Sequence, residues 1–243
     1  GFRRLGSFRT FGLPGSEAAV LHPLRTALAL LKEELSTQEL ERLFCGVCGV
    51  PEPDLQTLCE MIDRGLNTPL TSSLGRLFDA AAALLGLVDR VSYEGEGPIR
   101  LEGLALSLHT SEHRAHFAGS GGWKIVEDAE QGLFRVDCTG VLRHLAEARM
   151  KEATVGKAEA ASLALVFHEA VAAAALEGAR RMRERTGIRA IALSGGVFQN
   201  VLLNELLQPA LAEAGFEVYT HRAIPPGDGC IAVGQVYFMP GNG

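Results

Sequence analysis

The stretch IRAIALSGGVFQNVLLN (188–204) constrains the fold of this chain more than any other. Ala190 to Leu193 is a short apolar run between breaker residues, the pattern of a fully buried strand. Ser194-Gly195-Gly196 ends it, and from Phe198 the apolar residues recur with a helical period. Strand, glycine turn and helix in succession aim backbone N–H groups and the positive end of a helix dipole at an anion such as phosphate. The glycines permit positive φ and leave the backbone open to close approach, which a side chain would block. Asn200 is placed to hydrogen-bond a neighbouring loop or cap it. An ordinary tight turn is the competing reading. Spacing does not decide between them, because there is no G-x-G-x-x-G and no P-loop lysine.

The elements around this stretch follow from periodicity and punctuation. Residues 1–20, with Gly6, Gly12, Pro14 and Gly15, predict short extended segments and turns, edged by Arg3, Arg4 and Arg9. Leu24, Ala27, Leu28 and Leu31 lie on one helical face, with Pro23 suited to the first turn. Helices are expected over 38–45 and 54–66. Another runs from a cap at Thr71-Ser72-Ser73 to Leu85, with Gly86 as a left-handed end. Gly75 inside it costs about 1 kcal/mol relative to alanine, which predicts a close neighbour. A glycine-rich turn at 91–98 leads into a helix near 99–108, and strands at 124–126 and 133–136 form a hairpin. Thr139 is expected to cap a helix to Met150. A long Ala- and Leu-rich helix covers 159–185, 201–214 is the helix after the glycine turn, and 216–221 is a strand parallel to the first. The domain reading is a mostly helical region with a small hairpin over 1–155 and an α/β nucleotide-binding lobe over 156–243.

Composition sets bounds on the chemistry. A net charge of −6 and a pI near 5.7 argue against a nucleic-acid surface. No apolar run approaches the length of a membrane span, so no membrane partner is expected. Five scattered cysteines fit a reducing cytoplasm better than a disulfide framework. Cys45-x-x-Cys48 invites a zinc reading, but structural zinc takes four ligands and Cys59 alone does not complete the set. Buried or incidental thiols are the alternative. His109, His113 and His116 fall on one helical face, as a metal face or as an exposed polar helix end. His168 on an apolar helix reads as a satisfied core histidine. Asp228, between Gly227 and Gly229 in PPGDG, reads physically as a helix cap.

LSGGVFQN (193–200), PPGDG (225–229) and the following G-Q resemble the C-terminal end of the HypF carbamoyltransferases, which mature NiFe hydrogenases. TSSLGRLFDAAAALLGL (71–87), YEG (93–95) and the opening RRLGSFRTFGLPGSEAAV resemble the same family in the same order, most weakly over 103–155. The resemblance implies an α/β fold: the C-terminal portion of an actin-like (ASKHA, RNase H-like) nucleotide-binding domain, preceded by a mostly helical region. It implies further domains upstream and a first half of this domain that carries histidine metal ligands. It also implies a carbamoyl-adenylate, made from ATP and carbamoyl phosphate, whose carbamoyl group passes to the C-terminal cysteine of a HypE-like acceptor. Gly195, Gly196, Val197 and Asn200 would hold nucleotide, Asp79 the ribose, and Gly95 a backbone turn against the nucleotide. Asp228 would be a ligand to a divalent iron or zinc. Arg100 stands where the family has a glutamate, which leaves the role of Glu102 open, and Cys230 stands where the family usually has glycine. Phe167-His168 and Arg25 match family positions without an assigned role. The residues name no catalytic nucleophile. O-carbamoylation or threonylcarbamoyl-adenosine synthesis on the same fold, and an inactive nucleotide-binding or interaction fragment, are the alternatives.

Overall fold

The computed structural model describes residues 3–108, 122–128, 132–152 and 156–237, so the histidines at 109, 113 and 116 lie outside the described residues. The chain is a mixed α/β protein in which helices dominate. Helices α1 (Glu17–Leu21), α2 (Leu24–Leu31) and α3 (Thr37–Leu40) come first, and α3 widens directly into a π-helix over Glu41–Val47. Next are α4 (Glu52–Arg64), α5 (Leu74–Leu84), α6 (Glu96–Leu106), α7 (Thr139–Lys151) and α8 (Lys157–Thr186). Helices α9 (Val201–Glu213) and α10 (Ile231–Tyr237) follow.

Among the described residues the strands form three small sheets. Strand β1 (Gly6–Phe8) runs parallel to β5 (Leu133–Asp137), which pairs antiparallel with β4 (Lys124–Asp128). The hairpin is the one expected; the added parallel strand from the N-terminus is not. Gly6 makes room for the Phe134 ring, which would have to shift to admit a Cβ only 2.5 Å away. Strands β2 (Phe11–Gly12) and β3 (Leu70–Thr71) pair antiparallel, and β6 (Ala190–Leu193) lies parallel to β7 (Glu217–Thr220), Ala190 opposite Glu217. The β6–α9–β7 unit is the parallel arrangement expected from the alternation of elements.

One hydrophobic core runs from Phe11 to Phe216 and crosses the boundary at 155. Its centre is α5 between α2, α6 and α7. Ala80 to Ala83 are buried, and Gly97 and Ala105 on α6 let the helices approach closely. Phe78 and Phe167 meet edge-on with ring centroids 4.9 Å apart. Each contributes roughly 1.5–3 kcal/mol by burial.

Several local expectations are corrected. Gly75 has only the Ser73 hydroxyl within 4 Å of a Cβ, so no close neighbour explains it. Ser73 holds the N-cap position of α5 without a side-chain cap bond. The N-cap of α7 is Cys138, and the carboxylate of Asp137 accepts from Thr139 N–H at 2.9 Å. Arg9 is not part of a solvated basic edge, since it pairs with Glu33, Glu34 and Asp137. Helix α8 is, contrary to expectation, long and apolar enough to cross a membrane, but 67% of its most apolar window is buried in this fold. Strand β6 is not fully buried. Only Leu193 is, because a two-stranded sheet leaves Ala190 and Ala192 on an open face.

Candidate functional site

Strand β6 delivers the chain to Ser194, and Gly195 then takes φ +108°, a conformation side-chain-bearing residues rarely adopt. A single 3₁₀ turn, Gly196–Gln199, separates this glycine from Asn200 and α9. The loop carrying PPGDG is tied to the same turn. Gly195 N–H donates to the Pro226 carbonyl at 2.8 Å, and Gly227 packs on the Gly196 backbone and the Gln199 amide. Helix α5 lies against the 3₁₀ turn. Around Gly196 a Cβ would meet nothing within 4 Å, so that side of the turn is open. Among the described residues, no acceptor takes the N–H of Gly196 or Val197, whereas Phe198 N–H bonds to Gly195 O and Asn200 N–H to Val197 O. Two adjacent unspent N–H groups at an open glycine turn suit an anionic oxygen.

The N-terminus of α9 contributes differently from expectation. Glu102 Oε1 accepts from Val201 N–H at 2.6 Å and Leu202 N–H at 3.2 Å, and Asn200 Oδ1 accepts from Leu203 N–H at 2.7 Å. A carboxylate thus already occupies the positive end of this helix, so the open anion position is the turn and not the helix terminus. The Asn204 side chain donates to the carbonyls of Phe198 and Asn200 at 2.8 Å each, riveting the 3₁₀ turn to α9.

Asn200 is buried, and its amide is spent at both ends. Besides capping α9, its Nδ2 lies 3.1 Å from His168 Nε2, while His168 Nδ1 lies 2.7 Å from the Ala164 carbonyl. These partners fix one arrangement: Nδ1–H donates to the carbonyl, and Nε2 accepts from Asn200. Burial pushes the imidazole pKa down to about 4, so the ring is neutral near pH 7.

Asp79, the expected ribose acceptor, is a buried carboxylate, only 3% exposed. Burial pushes its pKa up to about 6, and the nearby Arg76 opposes that shift. Arg76 Nη2 stands 3.1 Å from Oδ2, an ion pair that lacks hydrogen-bond geometry, and Oδ2 is buried with no hydrogen-bond partner. Gly97 makes room for this carboxylate, since a Cβ there would come within 2.9 Å of Oδ1. Gly95, with φ +82°, is the N-cap of α6, which therefore starts earlier than the sequence suggested. Arg100 pairs with Glu96 at 2.6 Å and donates to the Leu87 carbonyl.

Asp228 is exposed and opens a 3₁₀ turn, Asp228–Cys230, without a side-chain cap bond. The cap reading therefore lacks its hydrogen bond. Among the described residues no three His, Cys, Asp or Glu side chains gather as a metal set, whether at Asp228 or at Cys45, Cys48 and Cys59. Sequence reasoning missed the pair Ser194 and His221, whose Oγ and Nε2 are 3.0 Å apart at the ends of β6 and β7. It also missed the cleft of about 630 Å³ beside them, lined by His221, Gln199, Asn204 and Pro226 among others. The adjacency of parallel strand ends was the available signal, because ligands favour that edge of a sheet.

Comparison with known proteins gives the family of the chain. Residues 1–235 match the family model described as "Carbamoyltransferase, Kae1-like Domain, second subdomain". Carbamoyltransferase HypF2 of Cupriavidus necator is 37% identical over 97% of this chain, which spans 29% of that protein. A HypF homolog from the same organism is 35% identical over 96% of the chain, which spans 56% of it. The crystal structure of full-length HypF in a phosphate- and nucleotide-bound form superposes with a TM-score of 0.81 at 30% identity. It covers 99% of this chain, which corresponds to 30% of that one. A second HypF structure, from T. kodakarensis, gives 0.69 at 26% identity. Between them the family model, the relatives and the shared fold identify the chain as a member of the Kae1-like carbamoyltransferase family, matching its second subdomain.

Proposed function

We propose that this chain is the nucleotide-holding part of a HypF-type carbamoyltransferase. In this reading the free N–H groups of Gly196 and Val197, beside Gly195, receive the phosphate of ATP or of carbamoyl-adenylate. Asp79 accepts from the ribose hydroxyls, and Gly95 shapes the backbone turn against the nucleotide. Asn200 serves by fixing the exit of the glycine turn. The observation that carries the proposal is the buried Oδ2 of Asp79, ion-paired with Arg76 but without a hydrogen bond, on the helix packed against that turn. A buried carboxylate oxygen without a donor is costly, and a ribose hydroxyl satisfies it. The division at 155 is functional in this account, with 156–243 supplying the phosphate turn and the preceding helices the ribose contact.

Carbamoyl-adenylate is a mixed anhydride. Attack by a thiolate sulfur on its carbamoyl carbon forms a C–S bond, breaks the C–O bond to phosphate and releases AMP with the electron pair. The protein's task is to orient the anhydride and to stabilise charge on the phosphate oxygens, which pre-aimed N–H groups do well. ATP, carbamoyl phosphate and a HypE-like acceptor ending in cysteine are the proposed substrates and partner, and the free thiols favour a cytoplasmic setting. The isolated 243-residue chain should retain carbamoyl-adenylate but transfer nothing to a cysteine-terminated acceptor peptide. Calorimetry and mass analysis of the peptide check both parts. A thiocarbamate on the peptide would contradict the assignment of further essential groups outside this chain, and absence of nucleotide binding would contradict the site.

Asp228 is proposed as one ligand of a divalent iron or zinc whose other ligands lie outside this chain. Its carboxylate is exposed and uncommitted, which fits that use. Asparagine caps a helix about as well as aspartate, so Asp228→Asn should leave the thermal midpoint unchanged while lowering metal content in a longer protein that supplies the histidines. Equal metal stoichiometry in both proteins would withdraw Asp228 as a ligand.

A further inference from the structure

We propose that His168 is a positioning residue that sets the spacing between Asp79 and the glycine turn. The inference rests on the nucleotide reading above and deepens it. His168 sits in the middle of α8, and its ring stands edge-on to Phe78, with centroids 5.2 Å apart and planes at 78°. Phe78 precedes Asp79 on α5, so one side of the imidazole bears on the helix that carries the ribose acceptor. The other contact is polar, from Nε2 to the Asn200 amide at the exit of the turn.

The ring cannot swap these roles. Nδ1–H is committed to the Ala164 carbonyl at 2.7 Å, which leaves Nε2 as an acceptor only. The Asn200 amide is equally fixed, because its Oδ1 must face Leu203 N–H and its Nδ2 must therefore face His168. The chain of bonds runs from Ala164 O through His168 and Asn200 to Leu203 N–H without an unsatisfied member. Asn200 in turn holds the 3₁₀ turn from behind, through its N–H to Val197 O and its carbonyl to the Asn204 side chain. A core histidine with arbitrary partners would only fill volume. Here the ring contact with Phe78 and the acceptor nitrogen join the two halves of the proposed site through one side chain.

Two variants separate the acceptor from the volume. His168→Phe keeps an aromatic ring against Phe78 and removes the acceptor, leaving the Asn200 amide buried without its partner. His168→Gln keeps an acceptor oxygen near the position of Nε2. Hydrogen exchange in the 243-residue chain reads the amides of Phe198, Asn200, Leu203 and Asn204, with the middle of α8 as control. In His168→Phe these four amides should exchange about tenfold faster, the loss of roughly one buried hydrogen bond, while α8 keeps its protection. His168→Gln should retain most of the protection, and AMP affinity measured by calorimetry should fall about tenfold for Phe and less for Gln. Unchanged exchange at the four amides in His168→Phe overturns the proposal, as does equal acceleration in turn and helix or in both variants. If wild type binds no AMP, the nucleotide reading fails, and faster exchange confined to the turn still establishes that His168 holds it.

Discussion

Gly196→Val should abolish AMP binding, a loss of at least about a hundredfold in affinity, with almost no change in thermal midpoint. The two halves of that expectation have separate causes. A side chain at 196 meets open space, and the residue does not sit in the left-handed region, so the fold tolerates it. Surface substitutions of this kind fall within about 0.5 kcal/mol of neutral. The same open space is where a phosphate must approach the N–H groups of Gly196 and Val197, and two methyl groups would fill it. Gly195→Val is the contrasting case. With φ +108° that position strains any side-chain-bearing residue, so stability should fall by roughly 1–3 kcal/mol together with binding. Calorimetric titration with AMP and a thermal melt for each variant check the pair. Retained affinity in Gly196→Val would remove the turn from the nucleotide site.

Asp79→Asn should move stability and affinity in opposite directions. The folded-state pKa of Asp79 is raised from 3.8 to about 6, chiefly by burial and against the pull of Arg76. A raised carboxyl pKa means that the folded protein holds a proton which the unfolded chain has already released. Between about pH 4 and pH 6 stability therefore falls as pH rises, and the charged carboxylate costs on the order of 2–3 kcal/mol above that window. Asparagine carries no charge to bury, so Asp79→Asn should be more stable than wild type at pH 8 by about 1–2 kcal/mol and lose that pH slope. Arg76 keeps contact with water, being about one-fifth exposed at its side chain, so it is not stranded. AMP affinity should drop at least about tenfold, because an anionic acceptor for ribose hydroxyls is replaced by a weaker one. Denaturation against pH and AMP titration read both effects. A variant that loses stability but keeps affinity would make Asp79 a structural ion-pair partner of Arg76.

Periodicity and punctuation carried much of this fold, and the exceptions have physical reasons. The glycine turn, the hairpin at 124–137 and the helix beginning near Leu74 were legible because breakers and apolar spacing are local signals. The pairing of Gly6 with Phe134 is not local, and no pattern within β1 announces a parallel partner in β5. The closure of α9 by Glu102 was hidden for the same reason, since a carboxylate on α6 reaches a helix terminus 99 residues later. The burial of Asp79 was not legible because it depends on Gly97, whose missing side chain lets α6 close over it. The open face of β6 depends on how many strands join it, which its own four residues do not encode. For His168, an apolar helical setting indicated burial, and only the fold reveals that its partner is the loop asparagine.

The central claim, that the turn at 195–197 and Asp79 belong to one nucleotide site, is tested most directly by titrating ¹⁵N-labelled 243-residue chain with AMP and following amide shifts. The account predicts saturable shifts concentrated at Gly195, Gly196, Val197, Gly95 and the residues flanking Asp79, with the α9 amides bonded to Glu102 moving little. Shifts that map elsewhere, or that involve the turn while leaving Asp79 and its neighbours unmoved at saturation, would contradict it.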